Sequence, residues 1–361
     1  MNQKTKQVLF FFLNHPSDYH LFKNVINLFI QQGFFVKVGI VTKDVLEELV
    51  KEEKWDYVNL FPEGRRRKNW PIILNAIVNL FIAEIRFFQF IKKNNPFVLI
   101  GSEGTLAHIG FLLRIPSLLF NEDDTVMTPE NYLFYPFATK VIIPSCVDKG
   151  KWLHKRISYN GYHELAYLHP RYFMPDENVV KAFHPSMEPY FILRLVALTA
   201  SHDSGKKGIT NQMAVDIIKR LERHGKVFIS SERELPWDLQ PYRLQIHPKD
   251  ILHVLAFAQI LIGDSLTMAE EAALLGTPSI RLDDFAGKSG YLNELEKIYD
   301  LTYGFKSDEI EGFFNKIDDV LSSPNSKSHW KNKVKILLVE KIDVVDFMFD
   351  LIKSYLPLKA E

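Results

Sequence analysis

The sequence predicts an α/β protein made of two successive units, each a parallel sheet covered by helices. Three observations lead there. Short apolar runs alternate with helix-like segments before about residue 159, and the same alternation restarts after 189. Strands separated by helices imply parallel pairing and a sheet covered on both faces. The 361 residues amount to about two domains at ~150 residues each, and 47% hydrophobic with 24% charged residues is an ordinary globular composition that excludes disorder as the dominant state.

The elements follow in order. Val8–Leu13 reads as a buried first strand; it is too short to span a bilayer and no small-residue cleavage site follows it. Residues 18–32 read as a helix with Leu21, Val25, Leu28 and Phe29 on one face and Gly33 as its stop. A strand over 35–41, a helix over 44–53 and a strand over 57–61 come next. The stretch 72–91 is long and apolar, but Asn75, Asn79, Glu84 and Arg86 interrupt it, and an intramembrane Glu or Arg is costly. Arg65, Arg66, Arg67, Lys68 and Trp70 precede it. A basic cluster beside an amphipathic helix suits an anionic lipid surface, and equally a solvated loop before a packed helix. Strands over 97–101, 117–120 and 141–144 enclose a helix over 105–113. The pattern then breaks over 159–189, where Pro170, Pro175, Pro185 and Pro189 mark a connection between domains. Strands over 190–197, 227–231, 260–263 and 279–282 alternate with helices over 209–224, 250–257, 268–275 and 308–321, and one or two helices fill 330–355. The expected organisation is a first domain over 1–165, a linker over 166–188, a second domain over 189–335, and a C-terminal helix over 336–361 that packs back on the first.

Charge and cysteine narrow the function. Lys plus Arg and Asp plus Glu both number 44, so the net charge is zero, which argues against nucleic acid held by bulk positive charge. Cys146 is the only cysteine, which excludes a disulfide framework and a multi-cysteine zinc site and fits a reducing, cytoplasmic compartment. No Gly-x-Gly-x-x-Gly, Walker loop or paired-histidine zinc motif is present. Asp123-Asp124 and Asp283-Asp284 are acidic pairs without the Asp-x-Asp spacing of a metal motif, and no metal is expected.

The strongest local signal runs from Ile260 to Ile280 as strand, turn, helix, turn, strand. Gly263, Asp264, Ser265 and Thr267 sit where the strand ends and the helix begins, where free N–H groups and the helix dipole favour a phosphate. Glu270 and Glu271 follow early in the helix, placed to accept hydrogen bonds from a ribose diol. Thr267 and Glu270 also match a Ser/Thr-x-x-Glu capping box, which needs no ligand. The loop over 198–208 is small and polar; Ser201, His202, Ser204, Lys206 and Lys207 suit a diphosphate, or an ordinary surface loop. In the first half, His15 and Asp18 follow the first strand as candidate bases for an acceptor hydroxyl, with Asn14 or Ser17 to orient it; His15 fits a buried structural histidine as well. Glu103 and Glu122 follow later strands, where carboxylates with separated pKa values act as acid and base, or simply cap a helix and line a turn. Gly287-Lys288-Ser289-Gly290-Tyr291 reads as a glycine-rich loop. Cys146 reads as an inert thiol.

The segment Asp264-Ser265-Leu266-Thr267-Met268-Ala269-Glu270-Glu271, followed by Gly276-Thr277-Pro278, resembles the nucleotide-binding strand and helix of GT-B glycosyltransferases. It also resembles that of the non-hydrolysing UDP-N-acetylglucosamine 2-epimerases, whose pattern is Asp-Ser-Gly-Gly-x-x-Glu-Glu. This chain carries Leu266-Thr267 in place of the Gly-Gly. With Asn14-His15-Pro16, Tyr19-His20-Leu21-Phe22-Lys23-Asn24 and the stretch from Gly161 to Pro170, the layout resembles a family of uncharacterised GT-B-like proteins found with surface-polysaccharide genes. The resemblance implies two Rossmann-like domains facing a central cleft, with no cofactor beyond a nucleotide-sugar substrate, a UDP-sugar first. Ser265 would meet the pyrophosphate and Glu271 the ribose. In the epimerase version Glu103, Glu122 and Glu130 stand near the catalytic carboxylates, and Thr199 with His202 near a Thr-x-His motif. The implied activity is a glycosyltransferase of surface glycan synthesis; the rivals are a sugar-nucleotide 2-epimerase and a non-catalytic binding protein. A glycan or lipid-linked acceptor, and peripheral contact with the inner membrane face, complete the expected partners.

Overall fold

The computed structural model describes residues 8–43, 45–64, 72–125, 127–147, 150–197, 208–323 and 326–356. The chain divides into two compact units, Met1–Tyr167 with Ile342–Glu361, and Leu168–Lys341.

In the first unit, β1 (Val8–Leu13), β2 (Phe35–Val41), β3 (Tyr57–Phe61), β4 (Val98–Gly101), β5 (Ser117–Phe120), β6 (Lys140–Pro144) and β7 (Arg156–Tyr159) form one sheet of order β3-β2-β1-β4-β5-β6-β7. Every pairing is parallel; β1 aligns Val8 with Phe35 on one side and Leu9 with Val98 on the other. The strands are joined through α1 (Pro16–Gln31), α2 (Leu46–Glu52), α3 (Ile72–Asn94), α4 (Thr105–Leu113) and the single turn α5 (Asn131–Phe134).

The apolar run of β1 is explained by what covers it. Side chains alternate between the faces of a strand. Phe11 meets Phe22 of α1 at 5.7 Å, while Phe10 and Phe12 meet Phe90 and Phe87 of α3 at 5.2 and 4.6 Å. All three are fully buried. Gly39 on β2 makes room for them, since a Cβ there would fall 2.7 Å from Phe10. The two charged interruptions of α3 are tied down: Arg86 donates to the Leu60 carbonyl at 2.8 Å and pairs with Glu63 at 2.6 Å, and Glu84 lies 2.5 Å from His108 Nδ1. Among the described residues no helix is long and apolar enough to cross a membrane.

After α6 (Leu165–Leu168) and α7 (Glu177–Phe183), the second unit lays β8 (Tyr190–Leu195), β9 (Lys226–Ser231), β10 (Leu261–Gly263), β11 (Ser279–Leu282) and β12 (Thr302–Phe305) in a parallel sheet of order β12-β11-β10-β8-β9. Its helices are α8 (Asn211–Leu221), α9 (Ile251–Phe257), α10 (Leu266–Leu274), α11 (Gly290–Lys297), α12 (Ile310–Ser322) and α13 (Ser326–Glu340). The alternation along β8 again feeds two cores. Phe191, Leu193 and Leu195 pack with α8 and α12, and Tyr190 and Ile192 with α9 and α10.

The last helix, α14 (Val344–Lys353), belongs to the first unit. Phe349 packs at a tilt against Phe29 of α1 with ring centroids 4.5 Å apart, Phe347 stacks on Tyr159 at 5.0 Å, and the Ile342 N–H donates to the Asn160 carbonyl at 2.9 Å.

Several elements differ from the sequence reading. The unit boundary falls after Tyr167, so 168–188 belongs to the second unit and holds α7, capped by Asp176 through the Asn178 N–H. The crossing back lies at Lys341/Ile342 rather than near residue 336. Gly290 and Tyr291 open α11, whose cap is Ser289, so the glycine-rich loop is only its approach. The cluster Arg65–Lys68 lies outside the described residues.

Met348 is fully buried beneath α14. Met348→Ala is expected to lower the unfolding free energy by about 2–5 kcal/mol, whereas Asp350→Ala, on the exposed side of the same helix, leaves it within about 0.5 kcal/mol. Urea unfolding of both variants checks this; equal effects would refute the docking of α14.

Candidate functional site

In a parallel sheet, ligands bind where the strand order reverses, outside the carboxyl ends of the strands. Each unit has one such point. In the first unit it lies between β1 and β4; in the second, between β8 and β10.

At the first reversal lies a pocket of about 190 Å³. Asn14 and His15 follow β1, Ser17 and Asp18 open α1, Ser102 follows β4, Asn121, Glu122 and Asp123 follow β5, and His163 and Glu164 come from the loop after β7. Asp18 is buried. Its Oδ2 accepts the N–H of Asn14 at 2.7 Å and of His15 at 3.1 Å, and its Oδ1 accepts the Ser102 hydroxyl at 2.7 Å. Burial pushes its pKa up, against those hydrogen bonds. His15 caps α1, its Nδ1 accepting the Ser17 N–H at 3.2 Å, and with Asp18 it completes a capping box. The first two candidate bases therefore both hold the start of α1. Glu103 accepts the Thr105 hydroxyl at 2.7 Å and is not among the pocket's lining residues.

Glu122 sits with its Oε2 3.1 Å from His163 Nδ1. Beside it, desolvation, reinforced by the Glu122 charge, pushes the Asp123 carboxyl up to about 7. Asn121 donates to the Tyr135 hydroxyl at 2.7 Å and the Asp123 carbonyl at 3.2 Å, which holds this turn in place. His163 stacks nearly parallel to Tyr159, the planes 3° apart. The sequence reading missed His163 and Glu164 as site residues. The available signal was an ionisable pair set directly after Tyr162 and before the apolar run 165–168. A larger cavity, about 650 Å³, lies at the amino ends of β5, β6 and β7, lined by Pro116, Thr139 and Lys155, and no carboxylate lines it.

At the second reversal Asp264 ends β10. Its Oδ1 accepts the Val196 N–H at 2.8 Å, from the end of β8, and its Oδ2 the Ile209 N–H at 3.1 Å. Burial pushes this carboxyl up to about 6, opposed by the two hydrogen bonds. Gly208 permits the approach, since a Cβ there would fall 2.5 Å from Oδ2. Ser265 is the N-cap of α10, its hydroxyl accepting the Met268 N–H at 3.3 Å. That corrects the Thr267–Glu270 capping box. The helix starts at Leu266, two residues earlier than the expected 268, so Thr267 is its exposed second residue and cannot cap it. Glu270 and Glu271, the fifth and sixth residues of α10, are both buried. Ser201, His202, Ser204, Lys206 and Lys207 lie outside the described residues, as does Thr199.

Two parallel α/β units of seven and five strands, the strand order of each reversing once, define a protein of GT-B architecture. The chain belongs to the family described as "Protein of unknown function (DUF354)", whose model matches residues 12–356. It is 25% identical over 294 residues to the uncharacterized protein MJ0665 of Methanocaldococcus jannaschii, covering 77% of this chain and 80% of that one. Solved structures with the same fold include S. aureus MnaA with UDP, at TM-score 0.69, 11% identity and 98% coverage of both chains. The UDP-GlcNAc 2-epimerase of Neisseria meningitidis bound to UDP-GlcNAc matches at TM-score 0.59 and 16% identity, covering 92% of this chain and 98% of its own. The spinosyn rhamnosyltransferase SpnG, complexed with spinosyn aglycone, matches at TM-score 0.62 and 12% identity, covering 96% and 99%. At these identities the likeness is one of fold.

The Asp123 carboxyl has a pH signature. Its folded pKa, about 7, lies above the ordinary ~3.9 of an unfolded Asp. The folded state therefore binds the extra proton between about pH 4 and 7, and stability falls as pH rises through that window. Asp123→Asn removes the effect. Its stability relative to the parent protein should grow from pH 4 to 7 and level off above; a constant difference across thermal melts at these pH values would contradict the assignment.

Proposed function

We propose that this protein is a sugar-nucleotide-dependent glycosyltransferase of surface polysaccharide or glycan biosynthesis. A UDP-sugar is the donor and a glycan or lipid-linked molecule the acceptor. The observation that carries the reading is the open amino end of α10 at the β8/β10 reversal, with Asp264 fastening the loops on either side. Free N–H groups there suit a diphosphate. Ser265 keeps its hydroxyl hydrogen for a phosphate while its oxygen caps the helix, and Thr267 and the loop residues Ser201, His202, Ser204 and Lys206 add donors. Glu270 and Glu271 accept from the ribose. Proton transfer falls to the carboxylates and histidine of the first-unit pocket. The matched UDP-bound and aglycone-bound proteins support both halves of this reading by fold.

A second reading, a non-hydrolysing 2-epimerase, is favoured by Asp18, Glu122 and Asp123 standing in one pocket. Glu103 and Glu130, the other carboxylates that the resemblance sets beside Glu122, are not among that pocket's lining residues. The two readings separate cleanly. UDP or a UDP-sugar at about 100 times its dissociation constant should stabilise the protein by ~2.7 kcal/mol, and Glu271→Ala should abolish that shift. Absence of a shift with UDP, GDP, CMP and dTDP and their sugars would defeat both. In deuterium oxide, exchange at sugar carbon 2 would establish the epimerase; its absence with a bound UDP-sugar supports the transferase.

We place the protein on the cytoplasmic side, with the exposed face of α3 against anionic lipid. Ile77, Phe81 and Ile85 are 60%, 67% and 43% exposed at helical spacing, and the basic run Arg65–Lys68 precedes them in sequence. Co-sedimentation with phosphatidylglycerol vesicles should be lost in Phe81→Glu; equal sedimentation of parent and variant would remove the membrane from the account.

A further inference from the structure

The cavity of about 650 Å³ at the amino ends of β5, β6 and β7 lies at the opposite end of the strands from the β1/β4 pocket and has no role in sugar transfer. Its volume is that of an ordinary ligand site, ~300–1,000 Å³. Charge gives it a chemistry. Arg114 and Lys155 line it, no carboxylate does, and neither cation is in an ion pair among the described residues. The stretches that build this end, 104–121, 131–147 and 150–163, contain no Asp or Glu. Lys155 donates to the Pro136 carbonyl at 2.5 Å and the Ala138 carbonyl at 2.8 Å, which leaves one of its three N–H groups. Burial and the nearby Lys140 charge hold its pKa below the ordinary lysine value, as for a cation without a counter-charge.

The mouth of the cavity is apolar. Phe111 and Leu112 of α4 are 65% and 63% exposed, and the exposed Phe137 has its ring 5.4 Å from that of Phe111. Apolar side chains gathered at one place, unlike single ones, mark a binding surface. Helix α4 packs beside α3, with His108 against Glu84, so this mouth sits on the same helix layer as the exposed Ile77, Phe81 and Ile85.

We propose that this cavity holds the phosphate of an anionic phospholipid in a bilayer, with Arg114 and Lys155 at the headgroup level and Phe111, Leu112 and Phe137 between the acyl chains. The proposal rests on the placement of the α3 face against anionic lipid and adds a defined lipid site to it. A soluble phosphate compound would leave the apolar rim in water. A second copy joined through the same patch about a two-fold axis would bring the cations of the two chains towards one another. An anionic bilayer suits both parts, because its phosphates and its hydrocarbon lie one beneath the other.

The test uses the full chain and vesicles of phosphatidylcholine, alone or mixed with phosphatidylglycerol, with binding read by flotation. The parent protein should float with the mixed vesicles and leave them as salt rises. Phe111→Trp adds one indole to the five of the parent. On mixed vesicles its extra emission should shift to the blue and be quenched by lipid brominated in the acyl chains. Arg114→Gln should bind mixed vesicles about fivefold more weakly, the loss expected for one cation near such a surface. Lys219→Gln, which removes the same charge from the exposed side of α8, should bind as the parent does. If the parent floats but the added indole is unquenched, or Arg114→Gln and Lys219→Gln bind alike, the lipid site is overturned and the α3 face stands alone. If the parent floats with neither vesicle, the membrane placement fails and the site with it. A dimer of the parent in vesicle-free solution that Phe111→Glu dissolves would assign the mouth to a second copy and overturn the proposal.

Discussion

Right-handed crossovers send consecutive helices to opposite faces wherever a parallel sheet reverses its order, and the loops at that point part. Here both sheets start inside rather than at an edge. β1 has β2 on one side and β4 on the other, and β8 has β9 and β10. The run 8–13 is continuously apolar, and 190–195 is apolar but for Arg194, because each must be covered twice. The opening at the carboxyl end of each first strand is the geometric consequence of that burial.

A parted pair of loops needs a tie, and both units use a buried aspartate. Asp18 links the loop after β1 to Ser102 at the end of β4. Asp264 links the end of β10 to the amide of Val196 after β8 and to that of Ile209. In both, burial raises the pKa and hydrogen bonds to the carboxylate oppose it. A carboxylate spent on backbone N–H groups is a poor base, and the first-unit tie frames other ionisable groups, Glu122, Asp123 and His163, in the same pocket.

Much of the fold was legible because buried parallel strands are written as short, largely apolar runs; Val8–Leu13, Phe35–Val41, Tyr57–Phe61, Ser117–Phe120 and Ser279–Leu282 coincide with the expected spans. Two of the edge strands were not: β7 reads Arg-Ile-Ser-Tyr and β12 Thr-Tyr-Gly-Phe, each covered less than a central strand. Helix α11 was hidden by the glycine that opens it and α7 by the prolines around it. At the candidate site, residues at strand ends were found by position: His15, Asp18 and Glu122 do meet in one pocket. Their tasks were not legible, since whether a histidine caps a helix or faces a carboxylate depends on three-dimensional neighbours. His163 was missed for the same reason. It reaches the pocket from a loop after the edge strand β7, well over a hundred residues from β1 in sequence.

The central claim is that the nucleotide belongs to the β8/β10 reversal of the second unit. Amide hydrogen exchange with and without saturating UDP tests it most directly. The account predicts slowed exchange at residues 264–268 and at Val196 and Ile209, with residues 14–18 and Ser102 unchanged. Slowing confined to the first-unit pocket, or none at 264–268 under saturating UDP, would contradict it.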